Sequence, residues 1–191
     1  MSSHLGVPVG QAGDRELWDR AAGGDEDAFG ALFERHAEAV WNHAYRLTGS
    51  WSGAEDLTST TFLTAWRRRA DVTLVRDSAL PWLYTVAGNA ARDEFRGAKR
   101  RSRLLRRIPD PPVVSDHADA VAEQLDGEQR LRQVVEAVRT LPRAQREVVE
   151  LCLLGDLSIG DAAALLTVAE VTVRSHLSRA RARLRALLEA K

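Results

Sequence analysis

An all-α chain, with two helical units joined by a flexible linker, is the fold class this sequence predicts. Three observations lead there. Apolar residues recur three and four apart along most of the 191 residues, the spacing of a single helix face. No segment shows the alternation of a half-buried strand, and no internal repeat stands out. One stretch, IPDPPVVSDHADAVAEQLDG at residues 108–127, gathers prolines and acids between the periodic segments.

The elements follow from local signals. Residues 1–13 are small, polar and glycine-containing, and predict a disordered arm. Helical patterning begins near Asp14 and opens a bundle over residues 14–107. Phe29, Phe33, Ala37, Val40, Ala44 and Leu47 form one apolar stripe, with Gly49 as its stop. Ser52 and Glu55 have capping-box spacing, and the helix after them carries Leu57, Phe62, Ala65 and Trp66 before Arg67, Arg68 and Arg69. Residues 70–78 break the period and read as a loop. Another helix starts near Ser78, tolerates Pro81 in its first turn and runs to about Ala98. Beyond the linker, residues 128–191 form the second unit. Its first helices span about 128–139 and 142–154, with Pro142 suited to a first turn and Gly155 to a stop.

Net charge is zero, but its sign changes along the chain. Residues 61–110 hold twelve bases against five acids, and residues 142–191 eight against six, while residues 1–60 and 111–141 are acidic. Two basic blocks divided by an acidic one point to two contacts with a polyanion. Cys152 is the only cysteine, which excludes an internal disulfide, and its setting VVELCLLG marks a small core residue. The five histidines are scattered, and even His36 and His43 lack partners for a zinc set, so no metal and no cofactor is expected. There is no glycine-rich phosphate loop and no nucleophile with a paired base, so no enzyme is expected. No apolar run approaches the ~20 residues of a membrane span, and MSSHLGVPVGQAGDRE lacks the pattern of a signal peptide. A cytoplasmic protein without membrane contact is the expectation.

The strongest signal lies between Leu157 and Leu188. Ser158 and Asp161 have capping-box spacing ahead of a short apolar helix, Ala162 to Leu166. A second helix then places Val173, Leu177, Ala180, Leu184 and Leu187 on one face. Its opposite arc carries Ser175, Ser178 and Arg179, flanked by Arg174 and Arg185. From Val171 to Lys191 six residues are basic and only Glu189 is acidic, whereas a merely solvated helix usually mixes signs. This is a helix-turn-helix pattern with a recognition helix suited to the major groove. A second nucleic-acid signal lies upstream. From Arg96 to Arg107 seven of twelve residues are basic and none is acidic, a phosphate-contacting run that includes Lys99 and Arg100. Trp82, Val86, Asn89, Asp93 and Arg96 share a face, which suits an unstacked strand: a ring for stacking, an amide for a base edge, a cation for phosphate. Trp82 could equally be a core anchor. Arg92 adds a second cation, since arginines are rarely buried without partners.

Three segments now resemble one family. AEDLTSTTFLTAWRRR (Ala54 to Arg69), PWLYTVAGNAARDEFRGAKRR (Pro81 to Arg101), and LPRAQREVVEL followed by VTVRSHLSRARARL stand in the order and spacing of bacterial sigma factors. The close match is to the small two-domain extracytoplasmic-function (ECF) group, over about residues 26–107 and 128–189. The resemblance implies that residues 14–107 are sigma region 2, which binds core RNA polymerase and the minus-10 element. It implies that residues 128–191 are region 4, which reads the minus-35 element. Glu55, Asp56, Ser59 and Phe62 are then the polymerase-docking residues. Trp82, Asn89, Arg92, Arg96, Lys99 and Arg100 face the minus-10 strand, and Val171, Thr172, Arg174, Ser175, Ser178 and Arg179 the minus-35 element. Partners implied are core RNA polymerase, promoter DNA and an anti-sigma factor. The chain departs from the family pattern at Ser59 and Thr60, where a Gln and an acid are usual. Thr167 and Val171 replace glycines, and Ala169 replaces a usual N-cap type, a loss of on the order of 1 kcal/mol. Helical geometry points Val171 outward, toward a thymine methyl. The rival reading is a conventional helix-turn-helix repressor or activator, which has no need of the single-strand features at 82–107.

Overall fold

Eight α-helices and no strand make up the described residues, 12–74, 77–105 and 122–189, of the computed structural model. The first unit comprises α1 (Asp14–Ala22), α2 (Glu26–Thr48), α3 (Trp51–Arg68) and α4 (Leu80–Leu105). The second comprises α5 (Ala122–Thr140), α6 (Arg143–Cys152), α7 (Ile159–Leu166) and α8 (Glu170–Glu189).

Local chemistry explains most boundaries. Gly24, at φ 98°, turns the chain between α1 and α2, and the Asp25 carboxylate caps α2 by accepting from the Ala28 N–H at 2.9 Å. Gly49 ends α2 in the left-handed region, as its place after the apolar stripe predicts. The cap of α3 is Ser50, which accepts from the Gly53 N–H, and not Ser52. Glu55 instead accepts from the Trp51 indole N–H at 3.1 Å. Ser158 caps α7 as expected: it accepts from the Asp161 N–H at 3.0 Å and donates to the Asp161 carboxylate at 2.7 Å. Thr167 closes α7 at φ 56°, in the left-handed region that favours glycine. Val171 is 69% exposed.

Beyond the α3 cap, three boundaries and one buried face differ from expectation. α4 continues to Leu105, because cations near a helix C-terminus favour its dipole. α5 starts at Ala122 and carries Gly127 in its interior, at a cost of about 1 kcal/mol, so the linker is shorter than 108–127. Its residues 108–121 lie outside the described residues, as do 1–11 of the predicted arm. Ala12, the next residue of that arm, is buried, and its carbonyl accepts from Arg35 at 2.9 Å. Leu187 is 41% exposed, so the buried face of α8 is Val173, Leu177 and Ala180, with Leu184 half-buried.

The first unit packs around Leu17, Trp18, Leu32, Val40, Phe62 and Leu83. Trp18 meets Trp82 edge to face at 5.2 Å between centroids and donates its indole N–H to the Val72 carbonyl at 3.0 Å. Asp14 ties this unit together from inside. Its carboxylate meets Arg35 at 2.6 Å and His36 at 2.6 Å, and accepts from the Ala79 N–H at 2.8 Å. In the second unit Val138, Leu141, Val149 and Ala180 form the core.

The two units touch. Helices α2 and α4 meet α5, α6 and α7. His43 of α2 lies in this contact, stacked on Tyr84 at 4.2 Å between centroids, with neither ring nitrogen hydrogen-bonded.

Candidate nucleic-acid and polymerase interfaces

On α8 the buried side is complete, with Val173 and Ala180 fully enclosed. The opposite arc is open. Arg174, Ser178 and Arg179 are exposed, and Ser175 and Thr172 are half-buried. Arg174 pairs with Glu170 at 2.6 Å, and Arg179 donates to the Ser175 hydroxyl at 2.6 Å. These are exposed one-turn contacts worth a few tenths of a kcal/mol, about 0.3–0.5 for such a pair, so a phosphate or base can displace them. Val171, Arg174 and Ser178 follow one another at three- and four-residue spacing, one line along the helix.

The face predicted for the minus-10 strand is more mixed. Asn89, Arg96 and Arg100 are exposed on α4, and Arg96 pairs with Asp93 at 2.5 Å. Trp82 is half-buried against Trp18, which makes it in large part a core residue. Arg92 is also half-buried: it donates to Asn89 and to the Glu150 carboxylate of α6. The Lys99 side chain lies outside the described residues.

On α3, Glu55, Asp56 and Ser59 are exposed, but Phe62 is not. Its ring packs against Phe33 at 4.7 Å and Phe29 at 6.4 Å between centroids and belongs to the core. The stripe Leu57, Phe62, Ala65 faces inward, so the residue after Phe62 faces outward. Leu63 is 54% exposed and continues the line of Asp56 and Ser59 at four- and three-residue steps. The sequence points to Phe62 because it lies on the apolar stripe, whereas the exposed apolar side chain beside Asp56 and Ser59 is Leu63, which lies off that stripe. Trp51, at 65% exposed, is a second exposed apolar side chain, at the start of α3 and ahead of the stripe.

Titratable groups at the contact between units carry opposite pH dependences. Burial pulls the His43 imidazole down to about 4, because the charged ring would lose its water. Burial pushes the Glu150 carboxyl up to about 7, against the pull of Arg92 and Arg146. For His43 the folded value lies below the ordinary 6.5, so the open or unfolded chain binds more protons between those values. Stability from this group is therefore full above about pH 6.5 and falls as pH drops toward 4. Glu150 opposes it, since its raised value favours the folded chain at the acid end. His43→Phe keeps the ring on Tyr84 and removes only the first effect. The stability difference between His43→Phe and wild type is expected to rise by roughly 3 kcal/mol between pH 7 and pH 4. Denaturant titrations at several pH values measure it, and a pH-independent difference would contradict the assignment.

Among the described residues no cluster of His, Cys, Asp and Glu is placed to hold a metal, and no helix is long and apolar enough to cross a membrane.

Comparison with known proteins agrees with this division. Residues 32–101 match the family Sigma-70 region 2, and residues 131–184 match Sigma-70, region 4. The chain is 33% identical over 167 residues to the ECF RNA polymerase sigma factor BldN of Streptomyces coelicolor, covering 86% of this chain and 62% of BldN. It is 32% identical over 181 residues to the RNA polymerase sigma factor NccH of Alcaligenes xylosoxydans xylosoxydans, covering 92% and 95%. Against the ECF RNA polymerase sigma factor SigL of Mycobacterium tuberculosis it is 33% identical over 172 residues, covering 88% and 93%. Among solved structures it is similar to CnrH in complex with the cytosolic domain of CnrY, with a TM-score of 0.63 at 29% identity over 93% of this chain and 98% of that one. It is also similar to the sigma factor RpoE in complex with the anti-sigma factor NepR from Bartonella quintana, with a TM-score of 0.54 at 27% identity over 82% and 94%. With both sigma-70 regions present in order, and NccH and SigL matched over more than nine-tenths of their length, the chain belongs to the ECF RNA polymerase sigma factors, which supply promoter recognition for transcription initiation.

Proposed function

We propose that this chain binds core RNA polymerase through the exposed face of α3, reads the minus-35 element with α8 and takes the unpaired minus-10 strand on α4. The observation that carries the reading is the asymmetry of α8: one face enclosed, the other lined with arginines and hydroxyls and weakly engaged. On α4 the exposed Asn89, Arg96 and Arg100 supply an amide and cations for a single strand, with Arg92 available once Glu150 releases it. Trapping that strand assists promoter opening. The part the chain plays is binding and positioning in the cytoplasm, with the chemistry left to the polymerase. The structures of CnrH with the cytosolic domain of CnrY and of RpoE with the anti-sigma factor NepR support an anti-sigma factor as a further partner.

Reconstituted holoenzyme, transcribing a library with a randomised minus-35 element, tests the α8 assignment. Losing an arginine bidentate to guanine costs about 1–3 kcal/mol at one base pair, whereas losing a phosphate contact weakens all sequences alike and lowers the salt slope by about one. Arg174→Ala and Arg179→Ala are expected to change the selected sequence. Arg185→Ala, further along the helix, is expected to change only general affinity. Uniform loss of output with an unchanged selected sequence would make Arg174 and Arg179 phosphate clamps.

A further inference from the structure

A cavity of about 80 Å³ opens beside Phe95 of α4, with α2, α5 and α6 making its other walls. Two kinds of side chain meet there. Leu47, Ala91, Phe95, Val135, Val138 and Leu154 line it with carbon. Arg46, Arg92, Arg96, Arg139 and Arg146 line it with guanidinium groups, against one carboxylate, that of Glu150. On α4 the spacing 91, 92, 95, 96 puts both kinds on one face, and 135, 138, 139 does the same on α5.

Several of these cations are held loosely. Arg46 pairs with Asp156 at 3.0 Å, Arg96 with Asp93 at 2.5 Å and Arg139 with Glu136 at 2.6 Å, and each of these carboxylates is exposed. Exposed pairs give up their partners readily, because water screens them. Arg92 is better held: it donates to Glu150 and lies 3.8 Å from Glu147. Arg146 is the least satisfied. One of its terminal nitrogens donates to the Arg139 carbonyl at 2.9 Å. Its Nε is buried without a hydrogen-bond acceptor, and the Glu150 Oε1 stands 3.9 Å away, beyond hydrogen-bond reach. Leaving a buried charged donor unpaired is costly, and an oxygen brought in by a ligand would satisfy it.

The two linings together define a ligand. A bare inorganic anion would leave the carbon lining uncovered, and a neutral hydrocarbon would leave the Arg146 donor unmet. Size bounds the apolar part. An apolar cavity of about 150 Å³ takes benzene, so one of about half that volume takes a group of roughly three to five carbons. The Phe95 ring carries the Arg139 guanidinium over it at 4.5 Å, and the rest of the carbon lining is aliphatic, which suits an aliphatic group better than a stacked ring. The guanidinium fork matches a carboxylate through two parallel hydrogen bonds. We propose that this cavity binds a small amphipathic carboxylate, its short branched tail among Leu47, Val135 and Val138 and its head group on Arg139 and Arg146.

The test is a titration of the full-length chain with isovalerate, followed by the arginine Nε–H signals in heteronuclear NMR. Acetate keeps the head group without the tail, and isovaleramide keeps the tail without the charge. Isovalerate is expected to shift the Arg146 signal saturably, with acetate and isovaleramide each binding roughly tenfold more weakly or worse, since each gives up one half of the contact. Ala91→Leu fills the cavity without changing its charge, and Arg139→Gln removes one cation from a partly exposed position. Both are expected to weaken isovalerate roughly tenfold or more while helical content stays unchanged. If Ala91→Leu fails to fold, Arg139→Gln decides the matter. Three results would overturn the site: no saturable shift with isovalerate, acetate or inorganic phosphate binding as tightly as isovalerate, or isovalerate affinity unchanged in Arg139→Gln and in folded Ala91→Leu.

Discussion

Asp14→Ala is expected to cost the first unit about 3–5 kcal/mol, the loss typical of removing one partner from a buried ionic cluster. Asp14 is 6% exposed and joins three parts of the chain: its own helix α1, Arg35 and His36 of α2, and the Ala79 N–H at the entry to α4. Removing the carboxylate leaves His36 and that N–H buried without an acceptor, which is worse than never having placed them there. Burial alone would raise the Asp14 carboxyl, but the hydrogen bonds from His36, Ala79 and Arg35 outweigh it and hold the group well below the usual carboxylate range. A lowered folded value stabilises the chain above the unfolded value and is lost as pH falls below about 4. Urea unfolding at neutral pH, followed by the near-ultraviolet signal of Trp18, measures the loss. A change under 1 kcal/mol would show that the cluster is replaceable by water.

Asp56→Arg is expected to abolish co-purification with core polymerase while leaving helical content unchanged. Asp56 is exposed on α3, so reversing its charge leaves the core untouched. Setting a like charge into an interface costs several kcal/mol, which is about a hundredfold or more in affinity. Glu55 is the weaker choice for this experiment, because it already accepts from the Trp51 indole N–H. Leu63→Ser gives an independent reading of the same face, since that side chain is exposed and apolar. Phe62→Ala would instead lose stability by a cavity, roughly 3–5 kcal/mol. If Asp56→Arg still co-purifies with core polymerase, α3 leaves the docking surface.

The all-α class, the two units, the reading of α7 and α8 as a helix-turn-helix and the family membership were legible in the sequence. Each depends on interactions within a few residues: Ser158 capping Asp161, Gly49 stopping α2, Val173 and Leu177 sharing a face. Periodicity also separates the buried from the open side of a helix, which is why Val171 could be placed outside from the sequence alone. The same periodicity does not say how far an apolar stripe stays covered. Leu187 continues the stripe of α8 yet lies beyond the helices that pack on it, and is exposed. Phe62, expected on the docking surface, lies on a stripe that turns away from it, and the exposed apolar side chain on that side is Leu63.

Only the tertiary structure decided which polar groups meet across long separations. Asp14 finds Ala79, and Arg92 finds Glu150, partners 65 and 58 positions apart in the sequence. No local rule pairs such groups, because each is an ordinary solvated charge in its own helix. Their meaning comes from burial, which removes water and makes the nearest opposite charge or hydrogen bond the one that counts. For the same reason α4 reads in the sequence as an open cationic face, and in the folded chain its Arg92 is already taken by a carboxylate of the second unit.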